Sequence, residues 1–590
     1  MSNFAAPISE QIWDMKYRHK DEDKNNLDKD VTDTWWRIAK QLAEVEEDSE
    51  HWAAQFYSAL EDFKYLPAGR ITAGSGTGRD VTLFNCFVMG TVPDSMAGIF
   101  EMLKEAALTM QQGGGIGYDF STIRPKGALV KGVAADASGP LTFMDCWDSM
   151  CRTVMSAGSR RGAMMATMRC DHPDILDFIH AKHDSARLRM FNMSVLITDG
   201  FMAAVEDDEM WDLVFKGEYY HSIKARDLWD AIMRSTYDSA EPGVIFIDRI
   251  NNANNLRYCE EIASTNPCGE QPLPPYGACL LGSINMSRLI TDPFTDQASL
   301  NWPELERLVA LAVRMMDNVV DASNFPLPQQ EAEAKSKRRI GLGVTGLADA
   351  LAMCQARYGS PKSIALVDSW MQQIDELAYN ASVDLAVEKG PFPLFNAQEL
   401  LDEGTHASTL VPETRYRILE HGLRNALLTS VAPTGTISLY AGNVSSGIEP
   451  IFAHAYTRKV IADDGSHFEE EVVDYAVAQF RKQFPGEPLP DYFATAQGLD
   501  PMDHVQVQAA AQRHVDSSIS KTVNCPEDIS FEDFCDVYWQ AWEAGCKGCT
   551  TYRPNEITGS ILTVSEDKPE SDEGGACVYD PETGERSCTG

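Results

Sequence analysis

The segment STNPCGEQPLPPYGACLLGSINMS, residues 264–287, sets an amide, a thiol and a carboxyl two positions apart: Asn266, Cys268 and Glu270 alternate with Pro267 and Gly269. In extended backbone a two-residue period turns three such side chains to one side. Pro267 favours this, because it biases Asn266 away from helix. Gly269 and the following prolines predict a loop in place of a regular strand. An amide, a thiol and a carboxyl on one side of a loop form a compact reactive group, with the carboxyl suited to proton transfer. The same text also describes a Pro/Gly-rich surface turn, and the segment alone leaves both readings open.

A second candidate is APTGTIS, where Thr434, Gly435 and Thr436 stand just before an apolar run. Small residues let backbone N–H groups close around a phosphate, above all at a helix N-terminus. An ordinary turn reads the same way. The GGGIG run at 113–117 superficially matches a dinucleotide fingerprint, but no predicted strand precedes it.

Fourteen cysteines in 590 residues do not form the pattern of a secreted disulfide framework, so redox catalysis or metal binding is the sharper reading for the unusual positions. Most read as core thiols; Cys146, Cys151, Cys259, Cys354 and Cys535 sit among apolar or aromatic neighbours. Cys577 and Cys588 fall in an acidic stretch from about 564 onward that is almost free of apolar residues and is expected to be a flexible tail. Cys546 and Cys549 of GCKGC could be half of a zinc site together with that tail.

The elements that must position these groups read as α/β. Residues 1–85 are mainly helical in pattern, as in TWWRIAKQLAEVEED and EHWAAQFYSALEDF. NMSVLITDG (192–200) and PGVIFIDRI (242–250) are short β-branched runs bounded by turn residues. Leu305, Leu308, Val309, Ala312, Met316, Val319 and Val320 share one helical stripe, with Pro303 in the first turn. Alternation of this kind implies an α/β architecture without choosing between an open sheet and a barrel. The formal net charge of −38 argues against sequence-independent nucleic-acid binding. No apolar run reaches the ~18–20 residues of a membrane span. The N-terminal segment lacks the apolar centre of a secretory signal, so a cytoplasmic location is expected.

Read together, the motifs resemble one family. Asn-x-Cys-x-Glu, a further cysteine at 279 and then Ser-Ile-Asn are similar to the finger loop of ribonucleotide reductase catalytic chains. LFNCFV with Cys86, QQGGGIGYDFSTIRPKG (111–127), SAGSRRGAMMATM (156–168), RRIGLGVTGLADAL (338–351) and SVAPTGTISLYAGNVSSGIEPIF (430–452) follow in the family's order, over roughly residues 10 to 590. The resemblance implies a ten-stranded α/β barrel with a central finger loop over 86–563, preceded by the helical region 1–85 and followed by a redox tail, 564–590. It implies that Cys268 is the transient thiyl radical, Glu270 the general base on the 3′-hydroxyl, and Asn266 a hydrogen-bond partner of the sugar. Cys86 and Cys279 would supply two electrons and close a disulfide. Asn85, Gly115 and the turn Pro433, Thr434, Gly435, Thr436 and Ile437 would bind substrate. Cys577 and Cys588 would pass electrons from a thioredoxin-like reductant.

Two further loops resemble the specificity apparatus, which reads a deoxynucleoside triphosphate at a homodimer interface: Asp94, Arg124 and Lys131 would contact the effector, and Ser159, Arg160 and Arg161 would relay its identity. Relatives that receive their radical from a second protein use paired tyrosines near the C-terminus. Thr550 and Thr551 stand in those positions here, and threonine cannot support reversible one-electron oxidation at a usable potential. The resemblance is therefore to the adenosylcobalamin-dependent group, with diphosphates as expected substrates. No protein histidine is expected as axial ligand and no resident protein-bound metal is expected otherwise. The alternatives are a large subunit that needs a separate radical-generating subunit, and a non-catalytic nucleotide-binding relative.

Overall fold

The computed structural model describes residues 4–130, 135–154, 162–183, 186–461, 467–554, 577–579 and 586–588, with backbone alone at 458–461, 467–470 and the last two segments. Lys131, Ser159, Arg160 and Arg161 lie outside the described residues.

After a short helical stretch that begins at Pro7–Ile12, the N-terminal region carries the predicted helices α1 (Val31–Ala43) and α2 (Ser49–Leu60). The Asp30 carboxylate accepts from the N–H groups of Thr32 and Asp33, satisfying donors that a helix start leaves open. Val31, Trp35, Ile38 and Leu42 recur at helical spacing and are all buried. The region is not wholly helical, however. β1 (Tyr65–Pro67) leaves it and pairs antiparallel with residues 282–284, so the helical layer is stitched into the sheet that follows.

Beyond it come β2 (Cys86–Val88), α3 (Met96–Gln111), β3 (Gly115–Asp119), α4 (Pro140–Thr153), β4 (Met164–Arg169), β5 (Phe191–Ile197) and β6 (Gly243–Phe246). These five strands are mutually parallel in the order β2-β3-β4-β5-β6. The runs at 192–200 and 242–250 both begin as strands and turn into helices at Asp199 and Ile247. A hairpin follows: β7 (Ser264–Thr265) pairs antiparallel with β8 (Pro272–Leu273). β9 (Ala278–Cys279) returns to pair antiparallel with β2. β10 (Leu281–Asn285) lies between β1 and the parallel β11 (Gly341–Thr345). Near the C-terminus, β12 (Thr522–Asn524) runs parallel to β13 (Gly548–Tyr552), which pairs antiparallel with β6. Continuous pairing therefore gives one eight-stranded sheet, β9-β2-β3-β4-β5-β6-β13-β12, and one three-stranded sheet, β1-β10-β11. Parallel bridges at Leu342–Thr429 and Val431–Ile519 extend the smaller sheet toward the larger.

Helix α5 (Trp302–Ala322) is the long buried helix beside β10. The Asn301 side chain caps it by accepting from Glu304 N–H, and Pro303 occupies its first turn, where a missing N–H costs nothing. All seven residues of the predicted stripe are buried, and so are Arg314, Asp317 and Asn318. Burial of Asp317 is tolerated because Arg338 Nε donates to it at 2.7 Å, Asn425 Nδ2 at 2.9 Å and Arg424 Nε at 3.2 Å. Those guanidiniums hold the Asp317 carboxyl below the usual range, against the opposing effect of burial. Arg338 itself closes helix α6 (Pro328–Lys337) with φ +50° and leads into β11. Among the described residues, no helix is long and apolar enough to cross a membrane.

Without Asp317 the buried Arg338 keeps only Asp321, and the half-buried Arg424 keeps only main-chain carbonyls. Asp317→Ala should cost about 3–5 kcal/mol of unfolding free energy at neutral pH. Because the folded-state pKa is depressed, the loss should shrink as pH falls through it. Denaturant titrations at pH 7 and pH 2 check both; an unchanged midpoint at pH 7 would refute it.

Candidate active site

The hairpin between β7 and β8 carries residues 266–271 between the two sheets. Its turn is made locally: Asn266 N–H donates to Gln271 O (3.2 Å), Gln271 N–H to Asn266 Oδ1 (3.0 Å), and Gly269 N–H to Asn266 O (3.0 Å). Gly269 takes φ +82°, a conformation that glycine adopts without steric cost. Strand alternation consequently holds only in part. Asn266 folds back on its own turn and is fully buried, and Glu270 is 2% exposed, whereas Cys268 at the tip is exposed.

Both sheets grip the loop. Asn192 Nδ2 donates to Pro267 O (2.8 Å), and Glu270 O accepts from Ser430 Oγ (2.9 Å) and Ser518 N–H (3.0 Å). The strands that face it carry glycine at alternate positions. A Cβ on Gly115 would lie 3.0 Å from Cys86 Sγ and 3.2 Å from the Pro267 ring, and one on Gly117 would run into the Thr265 carbonyl. On the other side, a Cβ on Gly341 would meet the Gln271 amide and one on Gly343 the Ser430 carbonyl. The GGGIG run thus leads into a strand whose Gly115 and Gly117 admit the loop. Asn192, Ser430 and Ser518 were not singled out in the sequence. A polar residue opening the apolar strand at 191–197, and glycines two apart in RRIGLGVTG, were the available signals.

The electrostatics follow from this burial. Burial pushes the Glu270 carboxyl up to about 7, against the pull of the Asn266 amide beside it. Glu270 Oε2, Asn266 Nδ2, Asn85 Oδ1 and Ser518 Oγ are buried with no hydrogen-bond partner among the described residues. Buried polar atoms without partners are costly unless something else pairs with them. Cys86 and Cys279 face each other directly in the β2–β9 pairing. Burial raises the Cys279 pKa well above its usual value, and the Cys86 thiol, Glu270 and Cys268 add to the rise. Cys279 is therefore held as S–H at neutral pH. Cys268, Glu270, Cys86 and Cys279 are brought into one neighbourhood.

The turn at 433–437 opens helix α7 (Gly435–Tyr440) with Thr434 at φ +49°. The Thr434 hydroxyl is buried and engaged inward, 3.0 Å from Thr345 Oγ1 and 2.9 Å from Ser438 Oγ, while accepting from Gly447 N–H at 2.7 Å. Its side chain builds the turn, leaving the backbone as the outward surface. Gly435 is exposed, with no atom within 4 Å of where a Cβ would stand.

The remaining expectations fall elsewhere. Asp94 accepts from Arg124 Nε (2.9 Å) and from Lys216 Nζ (3.1 Å), so two of the three proposed effector residues meet. Cys546 and Cys549 are buried. Among the described residues, no group of three or more His, Cys, Asp or Glu side chains is arranged to hold a metal. Cys151 and Cys354 are core thiols as expected and Cys146 and Cys535 are half-buried, but Cys259 is exposed, a correction. It lies beside the buried ion pairs of Glu260 with Lys337 and Arg339, on a stretch that is irregular in structure. Thr550 is exposed on the face that receives the loop, with its hydroxyl 3.6 Å from a Cβ placed on Gly243. Thr551 is buried, 3.0 Å from the Tyr538 hydroxyl.

Two family descriptions match the chain: "Ribonucleotide reductase, all-alpha domain" over residues 4–80 and "Ribonucleotide reductase, barrel domain" over residues 84–552. The vitamin B12-dependent ribonucleoside-diphosphate reductase of Mycobacterium tuberculosis is 38% identical over 541 residues, covering 88% of this chain and 73% of that protein. The protein of the same name from Thermoplasma acidophilum is 36% identical over 546 residues, 89% of this chain and 68% of its own length. The ribonucleoside-diphosphate reductase subunit alpha of Chlamydia muridarum is 27% identical over 594 residues, 88% of this chain and 56% of its own. With the finger loop, its buried carboxyl and the cross-strand cysteine pair in place, the chain belongs to the ribonucleotide reductase family.

Proposed function

We propose that this protein reduces ribonucleoside diphosphates to 2′-deoxyribonucleotides for DNA precursor synthesis, by radical chemistry begun at Cys268. One observation carries the proposal: an exposed thiol at a loop tip, a buried carboxyl with a spare oxygen, and two apposed thiols share one neighbourhood. A thiyl radical on Cys268 would take the 3′-hydrogen while Glu270 accepts the 3′-hydroxyl proton. The 2′-hydroxyl then leaves as water. Cys86 and Cys279 give two electrons and two protons and become a disulfide, and Cys268 returns the hydrogen to C3′. Asn266 Nδ2 and Asn85 Oδ1, both lacking partners, are a donor and an acceptor suited to the sugar hydroxyls. The backbone N–H groups of the 433–437 turn would hold the phosphates, with Gly435 leaving room for them.

The relatives named vitamin B12-dependent point to adenosylcobalamin as cofactor. Bound, it supplies a carbon-centred radical through homolysis of its cobalt–carbon bond. The residues present fit it: the tip at Gly269 borders open space, and Thr550 is small where the alternative route needs a tyrosine. Cys268, Gly269 and the loop-facing Asn192, Gly243 and Thr550 are the residues that would meet it.

We read the pairings as a ten-stranded barrel. β2 to β6 form one half; β13, β12 with residues 518–520, residues 429–431, β11 and β10 form the other, and β9 runs on into β10 beside β2. The Asp94–Arg124 pair supports an effector site there, with Lys131 and the loop of Ser159, Arg160 and Arg161 completing it. Met96, Phe100 and Leu108 are exposed apolar residues on α3 and support a homodimer through that helix. At the C-terminus, β14 (Cys577–Tyr579) pairs antiparallel with β15 (Arg586–Cys588), with Cys577 opposite Cys588. Opposed residues have Cα atoms ~4.5–5.5 Å apart, within disulfide range. This favours their acting as one pair that re-reduces Cys86–Cys279 and is recharged by a thioredoxin-like dithiol.

Four measurements test this reading. With adenosylcobalamin and dithiothreitol, the protein should convert diphosphates to deoxynucleotides without another subunit, and Cys268→Ser should lower turnover by at least about 10⁴-fold; surviving activity sinks the radical role. Glu270 must be ionised to act as base, so kcat/KM should rise with pH through about 7 and flatten above it. Glu270→Gln should abolish turnover yet raise stability at pH 8 by up to ~3 kcal/mol, because a carboxyl whose folded pKa is raised weakens the fold as pH climbs through that value. A variant that is inactive and also less stable at pH 8 would contradict that assignment. Gly435→Val should fill the phosphate seat and raise KM for the diphosphate at least tenfold with little change in melting temperature; an unchanged KM removes that turn from the substrate site.

A further inference from the structure

Lys521 is a fully buried ammonium that the chemistry above does not use. Its Nζ donates to Glu449 Oε2 at 2.6 Å, to His504 Nδ1 at 2.7 Å and to the carbonyl of Thr522. The other Glu449 oxygen accepts from Thr522 N–H at 2.7 Å, so one carboxylate grips two consecutive residues of the strand region that includes β12. His504 accepts through Nδ1 because burial and the Lys521 charge keep the ring neutral, its pKa lowered to about 2. An exposed lysine pair is worth little, but a buried one is costly to break and fixes geometry.

The two ends of this contact lead to opposite parts of the site. Glu449 belongs to the loop that follows α7. Within that loop Gly447 N–H donates to Thr434 Oγ1, and Ser445 O accepts from Thr345 Oγ1 at 3.0 Å, so it backs the 433–437 turn. On the other side, Ser520 N–H donates to Val431 O at 2.9 Å and Ser518 N–H to Glu270 O at 3.0 Å, so the segment running into Lys521 holds the general base in place. Apart from the Glu449 carboxylate, Lys521 donates to the His504 ring and a carbonyl, and the Cys549 and Cys525 thiols also lie near it.

We propose that the Glu449–Lys521 pair is a positioning device that sets the phosphate turn at a fixed distance from Glu270, and hence the ribose of a nucleoside diphosphate against Cys268. The inference rests on the assignment of the 433–437 turn and Glu270 given above. Neither residue touches the reacting atoms; both act through the segments they join. Orienting a bound substrate to within about an ångström is worth a large factor in rate or affinity.

The test separates positioning from stability. Glu449→Gln and Lys521→Met each leave one buried partner behind and should lower the melting temperature and raise KM for the diphosphate at least tenfold. The double variant Glu449→Gln/Lys521→Met removes the stranded charge, so its melting temperature should recover while the KM defect persists. Recovery of KM together with stability would mean that the pair is only a staple and would overturn the proposal, as would a wild-type KM in either folded single variant or a double variant that cannot fold. If single variants fail to fold, the double variant decides. Gly435→Val is the control: an unchanged KM there undermines the phosphate assignment itself, whereas a raised KM there with wild-type behaviour in the double variant rejects the positioning role alone.

Discussion

A loop whose every peptide is polar passes between two sheets, and the strands beside it must supply both room and hydrogen-bond partners. Room comes from glycine at alternate positions of β3 and β11, where a methyl group would strike Pro267, Gln271 or the carbonyls of Thr265 and Ser430. Partners come from Asn192, Ser430 and Ser518, which satisfy the carbonyls of Pro267 and Glu270. An unmet buried carbonyl would cost on the order of 1–3 kcal/mol, so the strands cannot trade these polar residues for better packing. The main core is built against helices such as α5, and a smaller apolar cluster gathers Leu196, Ile245, Ile247, Ile250 and Ile262.

That arrangement also determines the chemistry. Once the loop is enclosed, Glu270 loses solvation and its carboxyl rises to about 7, the range in which a base can both accept and return a proton near neutrality. Cys279 is pushed the same way and stays a thiol, suited to giving hydrogen and electrons instead of attacking as a thiolate. Cys268 escapes enclosure because the Gly269 turn lifts it to the tip. Burial at two positions and exposure at the third divide the roles among residues that are near neighbours in sequence.

Apart from the loop, two sets of buried carboxylates are held by cations. Asp317 with Arg338, Arg424 and Asn425, and Glu260 with Lys337 and Arg339, secure α5 and the approach to β11. The N-terminal helices are tied in by Glu46, which Arg314 and Lys389 reach from α5 and its neighbouring helix. Such pairs give rigidity of placement more than net stability. Under the proposed chemistry rigid placement matters, because a ribose would sit between a phosphate seat on one segment and a base on another.

Much of the molecule could be read from residue order. Helices α1, α2 and α5 follow from apolar spacing and caps, and the reactive set is visible as Asn266, Cys268 and Glu270 on one Pro/Gly-rich loop. The helical reading of 1–85 missed β1, because a three-residue strand owes its state to its partner at 282–284 and not to its own pattern. Cys259 looked like a core thiol from its neighbours, but an irregular stretch carries no period to say which side faces in. The sequence by itself determined which chemical groups exist and which local turns they favour, since these depend on bonded neighbours. Only the tertiary structure decided that Cys86 opposes Cys279, that Thr434 spends its hydroxyl on the fold, and that Glu270 loses its water. Each of these depends on contacts between segments far apart in the chain.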